Sequence, residues 1–169
     1  MFRLVFFMAV SPMVWAQDRP VLAPEELLKL IPTTVEGFKP AGEPVARTIK
    51  IGTLSYSMAE RSFARARQKI KILLFDYNNA LIMYSQASNT GISPVDNVAE
   101  GSTTRSGNRY DYYRRQLDGS TCRIALGINM RFFLNITCEN ADESVLNAIL
   151  SGMNFSGLER TPIEEPKFR

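Results

Sequence analysis

The stretch that decides the fold runs from Cys122 to Cys138 and reads CRIALGINMRFFLNITC. Its apolar residues alternate on both sides of residues 129–131, and alternation with period two is typical of strands that bury one face. With residues 129–131 as the loop of an antiparallel hairpin, four pairs face each other on one side: Ile128 with Phe132, Leu126 with Leu134, Ile124 with Ile136, and Cys122 with Cys138. The polar residues then fall on the other side: Arg123, Asn129, Arg131, Asn135 and Thr137. A slip of one residue would destroy this agreement, so the sequence predicts this register.

Cys122 and Cys138 are the only cysteines of the chain. The predicted register places them opposite each other on the core side, which predicts a disulfide across adjacent strands. In the chain-entropy description, a bridge closing a loop of this length stabilises a protein by about 3 kcal/mol. The alternative is a redox pair, which the wide spacing and the lack of a Cys-x-x-Cys motif disfavour.

The remaining sequence predicts further short strands and three helices. Period-two stretches predict strands at residues 45–51, 54–63, 69–77, 98–105, 109–116, 121–128 and 132–138. Apolar residues at helical spacing predict helices at residues 24–31, 78–87 and 142–153. The predicted fold class is α+β: an antiparallel sheet of about six strands, with the N- and C-terminal helices packed on one face.

The start of the chain predicts export. Residues 1–3 carry a positive charge, residues 4–15 are almost continuously apolar, and Ala16 precedes the expected cleavage site. The apolar run is too short to span a bilayer, which needs about 20 residues. We therefore expect four segments: a cleaved signal peptide at 1–16, an extended lead-in at 17–23, one α+β domain at 24–157 and a flexible charged tail at 158–169. The expected location is the bacterial periplasm or the extracellular space.

The composition narrows the chemistry that the chain can perform. It contains no histidine, which excludes Ser-His-Asp and Cys-His catalysis and His-ligated zinc. The net charge of +3 is too small to indicate a nucleic-acid partner. The sequence shows no nucleotide, metal or other cofactor motif, so we expect no cofactor and no metal, and an enzyme is the less favoured class.

Four basic residues form one candidate site: Arg65, Arg67, Lys69 and Lys71. Because they alternate, a single strand would place them on one face, where they could bind lipopolysaccharide phosphates, anionic lipid or another polyanion. The alternative is a charged hairpin end that keeps a sheet edge soluble.

Aromatic and basic residues form a second candidate site at Tyr110, Tyr112, Tyr113 and Arg114. Tyrosine and arginine are typical of protein-binding surfaces. Tyr112 and Tyr113 point to opposite faces of one predicted strand, so at least one of them is expected in the core.

Asp76 follows an apolar strand at a position where catalytic carboxylates occur in sheet proteins. Paired with Asp111 or Asp118 it could perform acid–base chemistry. The alternative is a turn or a helix cap, which the sequence Asp76-Tyr77-Asn78-Asn79 favours.

The order of several segments is similar to that of a diffuse group of exported bacterial proteins of unassigned function. These segments are Leu30-Ile31-Pro32, Gly37-Phe38, residues 59–63 (AERSF), residues 70–76 (IKILLFD), and residues 127–135 ahead of a terminal amphipathic helix. The layout also resembles the two-layer periplasmic domains of the Mog1/PsbP type, in which helices cover an antiparallel sheet. This resemblance implies a shape and no catalytic residues.

Three functions follow as hypotheses. The leading one is a non-enzymatic accessory domain that binds a protein or another envelope component. The second is an anionic-lipid or polyanion binder that uses the basic residues 65–71. The third is a hydrolase with a carboxylate site.

Overall fold

A computed structural model describes residues 20–89, 103–105, 108–110, 112–118 and 120–161. The helices are α1 (Pro24–Leu28), α2 (Leu81–Asn89), α3 (Glu143–Gly152) and α4 (Phe155–Arg160). The strands are β1 (Lys39–Pro40), β2 (Val45–Ile51), β3 (Leu54–Arg65), β4 (Gln68–Asn79), β5 (Thr103–Arg105), β6 (Asn108–Tyr110), β7 (Tyr112–Asp118), β8 (Thr121–Ile128) and β9 (Phe132–Glu139). The predicted signal peptide, residues 17–19 of the lead-in, and residues 162–169 of the tail lie outside the described residues.

One antiparallel sheet organises these elements and confirms the predicted α+β class. Its strands follow the order β3-β4-β9-β8-β7, and both β1 and β2 pair with the free side of β3, so the sheet is six strands wide. The pairing of β4 with β9 joins an N-terminal hairpin unit to a C-terminal one. β5 and β6 pair with each other as a separate two-stranded sheet.

The β8–β9 hairpin has the register that the alternation predicts. Ile128 pairs with Phe132, and the pairing continues without a shift to Cys122 and Cys138. Asn129 and Met130 take positive φ angles of 54° and 46° in the turn. The alternation thus predicted both the loop and every facing pair of this hairpin, because a one-residue slip would expose its apolar side.

The N- and C-terminal helices cover one face of the sheet, as predicted. α1 buries Leu27, α3 buries Val145, Leu146 and Ile149, and α4 buries Leu158. These side chains form one core with the inward residues of the sheet: Ala59, Phe63, Ile70, Ile72, Leu74, Cys122, Ile124, Leu126, Ile128, Phe132, Leu134, Ile136 and Cys138. We call this side of the sheet the inner face.

The opposite side, the outer face, carries α2. Tyr84 of α2 packs edge-on against Phe133 of β9, with ring centroids 6.3 Å apart. Ile82 of the same helix faces away from the sheet, since its side chain is 60% exposed. α2 begins at Leu81 because Asn78 and Asn79 belong to β4.

Two boundaries differ from the prediction. α1 ends at Leu28, and residues 29–30 form a turn instead of a last helical turn. At the other end, α4 buries Leu158 completely, so the packed domain extends past the expected boundary at 157. Asn154 explains the extension, because its side chain accepts a hydrogen bond from the Gly157 N–H and starts a new helix after α3.

Candidate functional site

A buried ion pair joins Asp76, near the end of β4, to Arg131 in the β8–β9 turn. Arg131 Nη2 lies 2.6 Å from Asp76 Oδ2, and Arg131 Nε lies 2.8 Å from Oδ1. The two side chains are 1% and 0% exposed. The prediction that Arg131 lies on the polar side of the hairpin is therefore wrong. Alternation does not govern a turn residue, and the carboxylate beneath the turn provides a buried partner for the guanidinium.

The lead-in docks on the same ion pair. The Leu22 N–H donates to Asp76 Oδ2 at 2.8 Å, and the Leu22 carbonyl accepts from the Ser57 hydroxyl at 2.7 Å. The Pro20 carbonyl accepts from the Asn78 amide at 2.7 Å. We call Asp76, Arg131, Ser57, Asn78 and the Leu22 backbone the polar hub. It fastens the chain ahead of α1 to β3, β4 and the β8–β9 turn.

The hydrogen bonds at Asp76 limit what this carboxylate can do. Its two oxygens accept from Arg131 Nε and Nη2, from the Leu22 N–H, and from the Asn78 N–H at 3.0 Å. An ionised carboxylate offers about four lone-pair sites. All of them are used, so in this conformation Asp76 supports the fold and offers no site to a substrate.

The pairing of Asp76 with Asp118, which the sequence offered as the less favoured alternative, does not occur. Across the sheet, Asp118 lies level with Thr121, Glu139 and Lys69. Lys69 is seven residues from Asp76 along β4, which corresponds to roughly 23 Å at about 3.3 Å per residue. The other partner considered for Asp76, Asp111, lies outside the described residues.

The four basic residues do not share one strand face, which corrects the prediction. Ala66, with φ of 54°, and Arg67 form the turn between β3 and β4, so the chain reverses inside the cluster. Arg65 pairs with Gln68 at the end of β3, while Lys69 and Lys71 follow on β4. All four side chains are exposed around this hairpin tip.

Three of these basic residues have partners. The Arg65 guanidinium lies over the Phe38 ring at 4.5 Å, and a Cβ at Gly37 would stand 2.8 Å from its Nη1. Lys71 Nζ is 3.0 Å from Glu60 Oε1, and Lys69 Nζ is 4.0 Å from Glu139 Oε2. The exposed pairs have little energetic weight. The hairpin tip therefore carries a net positive charge, which the carboxylates of Glu60 and Glu139 partly offset.

The aromatic and basic candidate site is divided between two strands. Tyr112, Tyr113 and Arg114 lie on β7 and pair with Gly127, Leu126 and Ala125 of β8. Tyr110 lies on β6, where it pairs with Thr103. The structure therefore assigns Tyr110 to a different sheet from the other three, and their role as a protein-binding surface stays a prediction.

Cys122 and Cys138 are both thiols in the structure, buried next to each other on the inner face. Burial raises the pKa of the Cys138 thiol, and the neighbouring Cys122 raises it further through its charge and a side-chain hydrogen bond. Cys122 Sγ lies 3.8 Å from the carbonyl oxygens of Ala141 and Asp142, so the chain that leads into α3 covers the pair. The two sulfurs are not at bonding distance in this structure, so the disulfide stays a prediction.

An apolar surface that sequence reasoning missed lies on the outer face beside α2. We define the aromatic strip as Ile51, Leu54, Tyr56 and Phe75. The Tyr56 ring lies 6.4 Å from Phe75 and 5.4 Å from the buried Tyr77, and the Phe75 and Tyr77 rings stack at 5.5 Å.

The strip borders the small core under α2 without being covered by it. Leu54, Tyr56 and Phe75 are half-buried against that core, and Ile51 is 54% exposed. Alternation at Leu54, Tyr56 and Met58 was the available sequence signal. It could not identify the strip, because the side of β3 on which the helices pack depends on tertiary contacts.

Comparison of the chain with known protein families, with curated proteins and with solved structures gives no match. The resemblance to Mog1/PsbP-type domains therefore stays a prediction. Within the part of the chain that the structure describes, no three His, Cys, Asp or Glu side chains come together as metal ligands. The described helices also fall short of the length and apolar character that a membrane span requires.

Proposed function

We propose that this chain is an exported, non-enzymatic accessory domain that binds a protein of the cell envelope. The proposed export rests on the pattern of residues 1–16, a short positive start followed by an apolar run and a small-residue cleavage site. The engagement of all Asp76 lone-pair sites supports a binding role over catalysis at that carboxylate.

The aromatic strip is the observation that carries the binding proposal. Half-buried tyrosine and phenylalanine side chains supply large apolar area at a low entropy cost, and they are enriched where proteins bind one another. Tyr56 and Phe75 are already held by ring contacts with Tyr77, so a partner would meet a rigid surface. Exposed Ile51 extends this surface to the edge of the sheet.

A photo-reactive phenylalanine analogue at Tyr56 tests the proposal in intact cells. Met130, which is 61% exposed in the β8–β9 turn, provides the control site. We expect a discrete heterologous product from position 56 and none from position 130. The partner, once purified, should bind Phe75→Ser at least about tenfold more weakly than the unchanged protein, the loss that removal of one aromatic anchor typically brings.

Two outcomes contradict this proposal. One is equal labelling from positions 56 and 130, and the other is a partner whose affinity is insensitive to Phe75→Ser. A product of twice the chain's own mass is self-association and does not count as support. N-terminal sequencing of the cell-derived protein tests export separately, and the expected first residue is Gln17.

We also propose that Cys122 and Cys138 are joined in the exported protein. Directly opposite residues of antiparallel strands have Cα atoms about 4.5–5.5 Å apart, within the range of roughly 4.4–6.8 Å that disulfides bridge. An oxidising compartment favours the bond. Thiol alkylation of freshly denatured protein from the envelope should label neither cysteine until a reductant is added; free thiols in that sample contradict the bond.

Polyanion binding is the second candidate function, and the exposed hairpin tip favours it. Arg67 occupies the turn and is exposed. The nearby Lys69 is also exposed, and its Nζ lies 4.0 Å from the Glu139 carboxylate. Binding to anionic lipid vesicles should weaken steeply as salt rises and should be lost in Arg67→Glu/Lys69→Glu. Arg123→Glu, a charge reversal of an exposed residue on β8, is the matched control. Binding that ignores salt or responds equally to both variants contradicts this function.

A further inference from the structure

β2 is an edge strand, and none of the described strands pairs with its outer side. It pairs with β3 along all seven residues, and no described residue hydrogen-bonds to the backbone on its other side. Thr48 at its centre is exposed, and Val45 and Ile51 at its ends are 42% and 54% exposed. An open strand with exposed apolar ends is a template for pairing with another strand.

The turn that follows β2 shows which backbone groups point outwards. Gly52 and Thr53 form a two-residue turn that Ile51 and Leu54 close. Such turns close on a hydrogen-bonded pair, and hydrogen bonds then alternate along the strand. Odd-numbered residues of β2 therefore bond to β3, whereas three residues direct their N–H and C=O groups outwards: Ala46, Thr48 and Lys50.

We propose that β2 pairs antiparallel with β2 of a second copy of this chain, about a two-fold axis at Thr48. Residues whose backbone groups point outwards must face residues of the same kind on the partner strand. Even-numbered residues therefore pair with even-numbered ones, and odd-numbered with odd-numbered ones. The register that overlaps the whole strand sets Thr48 against Thr48 and Ala46 against Lys50. It also sets Arg47 against Ile49 and Val45 against Ile51.

The side chains of β2 suit this register better than the registers next to it. The one with its axis at Arg47 is opposed by charge, and the one with its axis at Ile49 pairs only residues 47–51. In the full-overlap register each charged residue faces an uncharged one, and Val45 covers Ile51 at both ends of the seam. A shift to an axis at Arg47 sets two arginines directly opposite each other, and an axis at Lys50 sets two lysines opposite. Like charges in facing positions destabilise a sheet, whereas facing Thr–Thr and aliphatic pairs stabilise it.

The charges of β2 give this dimer a distinctive salt dependence. The two Arg47 side chains lie diagonally across the seam, at the roughly 7–8 Å that separates diagonal neighbours. β2 contains no acidic residue to offset them. Added salt screens this repulsion, so we expect the dimer to tighten as salt rises. An acidic extended peptide on the same edge would show the opposite dependence.

Sedimentation velocity on the purified protein measures the association directly. We expect a reversible dimer whose Kd falls when NaCl is raised from about 0.05 M to about 0.5 M. Val45→Glu and Ile51→Lys should each weaken the dimer about tenfold, because each change alters two symmetry-related pairs. Met130→Lys changes an equally exposed residue away from the edge and should leave the Kd unchanged. Both edge side chains are exposed, so thermal melting of each variant should match that of the unchanged chain.

Mixing the two edge variants tests the register itself. In a heterodimer, Glu at position 45 of one copy faces Lys at position 51 of the other, and the second pair stays Val45 against Ile51. The mixture should therefore dimerise more tightly than either variant alone. No other full-length register pairs these two positions.

Three results overturn the proposal. The first is a chain that stays monomeric up to about 1 mM, a limit that corresponds to negligible specific affinity. The second is a dimer that Val45→Glu and Ile51→Lys affect no more than Met130→Lys does, or that mixing fails to restore. The third is a dimer that weakens as salt rises. Because the assay needs no partner protein, its failure leaves the binding role of the aromatic strip standing, and the reverse also holds.

Discussion

The two ends of the central strands β4 and β9 are closed by different chemistry. At one end the core finishes in the polar hub, where the Asp76 carboxylate accepts two hydrogen bonds from Arg131 and one each from the Leu22 and Asn78 N–H groups. At the other end it finishes in two small sulfur side chains, Cys122 and Cys138, under the start of α3. The hub joins parts of the chain that are far apart in sequence, whereas the cysteines join neighbouring strands of one hairpin. This difference suggests that the hub holds the tertiary fold and the cysteines reinforce local structure.

The largest expected effect is at the hub. Arg131→Met leaves the Asp76 charge buried without its partner and should lower the free energy of unfolding by roughly 3–5 kcal/mol. Urea denaturation followed by circular dichroism measures this loss. Arg123→Met, on the same hairpin but exposed, should stay within about 0.5 kcal/mol of the unchanged protein.

A double variant sharpens this test. Asp76→Leu/Arg131→Met removes both charges, so it should lose much less than the sum of the two single variants. If Arg131→Met unfolds at the same urea concentration as Arg123→Met, the hub does not hold the fold.

The next effect belongs to the sulfur end. If the proposed disulfide is present, reduction should lower the free energy of unfolding by about 3 kcal/mol. Urea denaturation of the envelope-derived protein with and without a reductant measures the change. The variant Cys122→Ala/Cys138→Ala is the control, because a reductant should leave its midpoint unaltered. Identical midpoints for the oxidised and reduced protein would make this end a packing contact alone.

A smaller effect, at alkaline pH, belongs to the hub end. Burial, with a contribution from neighbouring Tyr56, raises the pKa of Tyr77 from 10.0 to about 12. The folded state therefore holds this proton more tightly than the unfolded chain, and the stabilisation is present below pH 10 and lost as pH rises towards 12. The melting temperature should fall across this interval and fall less in Tyr77→Phe.

Between about pH 5 and 8 the melting temperature should be nearly constant, because the chain has no histidine to titrate there. A step in the melting temperature in that interval contradicts this expectation.

The smallest effect is at the helix that covers the cysteines. Hydrogen bonds from the Ser144 hydroxyl and from the Val145 and Ser144 N–H groups, with help from nearby Arg65, hold the pKa of Asp142 below its ordinary 3.8. A lowered pKa stabilises the folded state above pH 3.8 and ceases to do so as pH falls through the folded-state value. Asp142→Ala should lower the melting temperature at pH 7 and reduce its acid-side decline. Asp142→Asn should keep part of the cap without that pH dependence; equal melting curves for all three proteins would show that the cap does not matter.

The sulfur end was predictable from the sequence, for a physical reason. Side chains on a regular strand alternate, so the order of apolar residues between Cys122 and Cys138 determines which of them face each other. The α3 stripe at Val145, Leu146 and Ile149 follows the helical period in the same way. In both cases the constraint lies within one short segment of chain.

The hub was not predictable because its parts meet only in the folded chain. Arg131 lies in a turn, where no periodicity assigns a direction to a side chain. Asp76 resembles a turn residue until Leu22 and Arg131 approach it from distant parts of the sequence. A register shift between β3 and β4 adjacent to Ser57 further changes which residues meet. The basic residues differ, since the strands predicted at 54–63 and 69–77 already leave a turn between them, and the structure places Ala66 and Arg67 in that turn.

The β8–β9 turn has a practical consequence for handling the protein. Besides presenting Arg131 to the hub that holds Leu22, it binds the last described residue, since the Asn129 amide donates to the Thr161 carbonyl at 2.8 Å. Residues 22 and 161 therefore lie at the same pole of the molecule, and the basic hairpin tip around Arg67 occupies the opposite one. A biotin or affinity handle joined beyond either residue would orient immobilised molecules alike, with the tip turned towards the analyte.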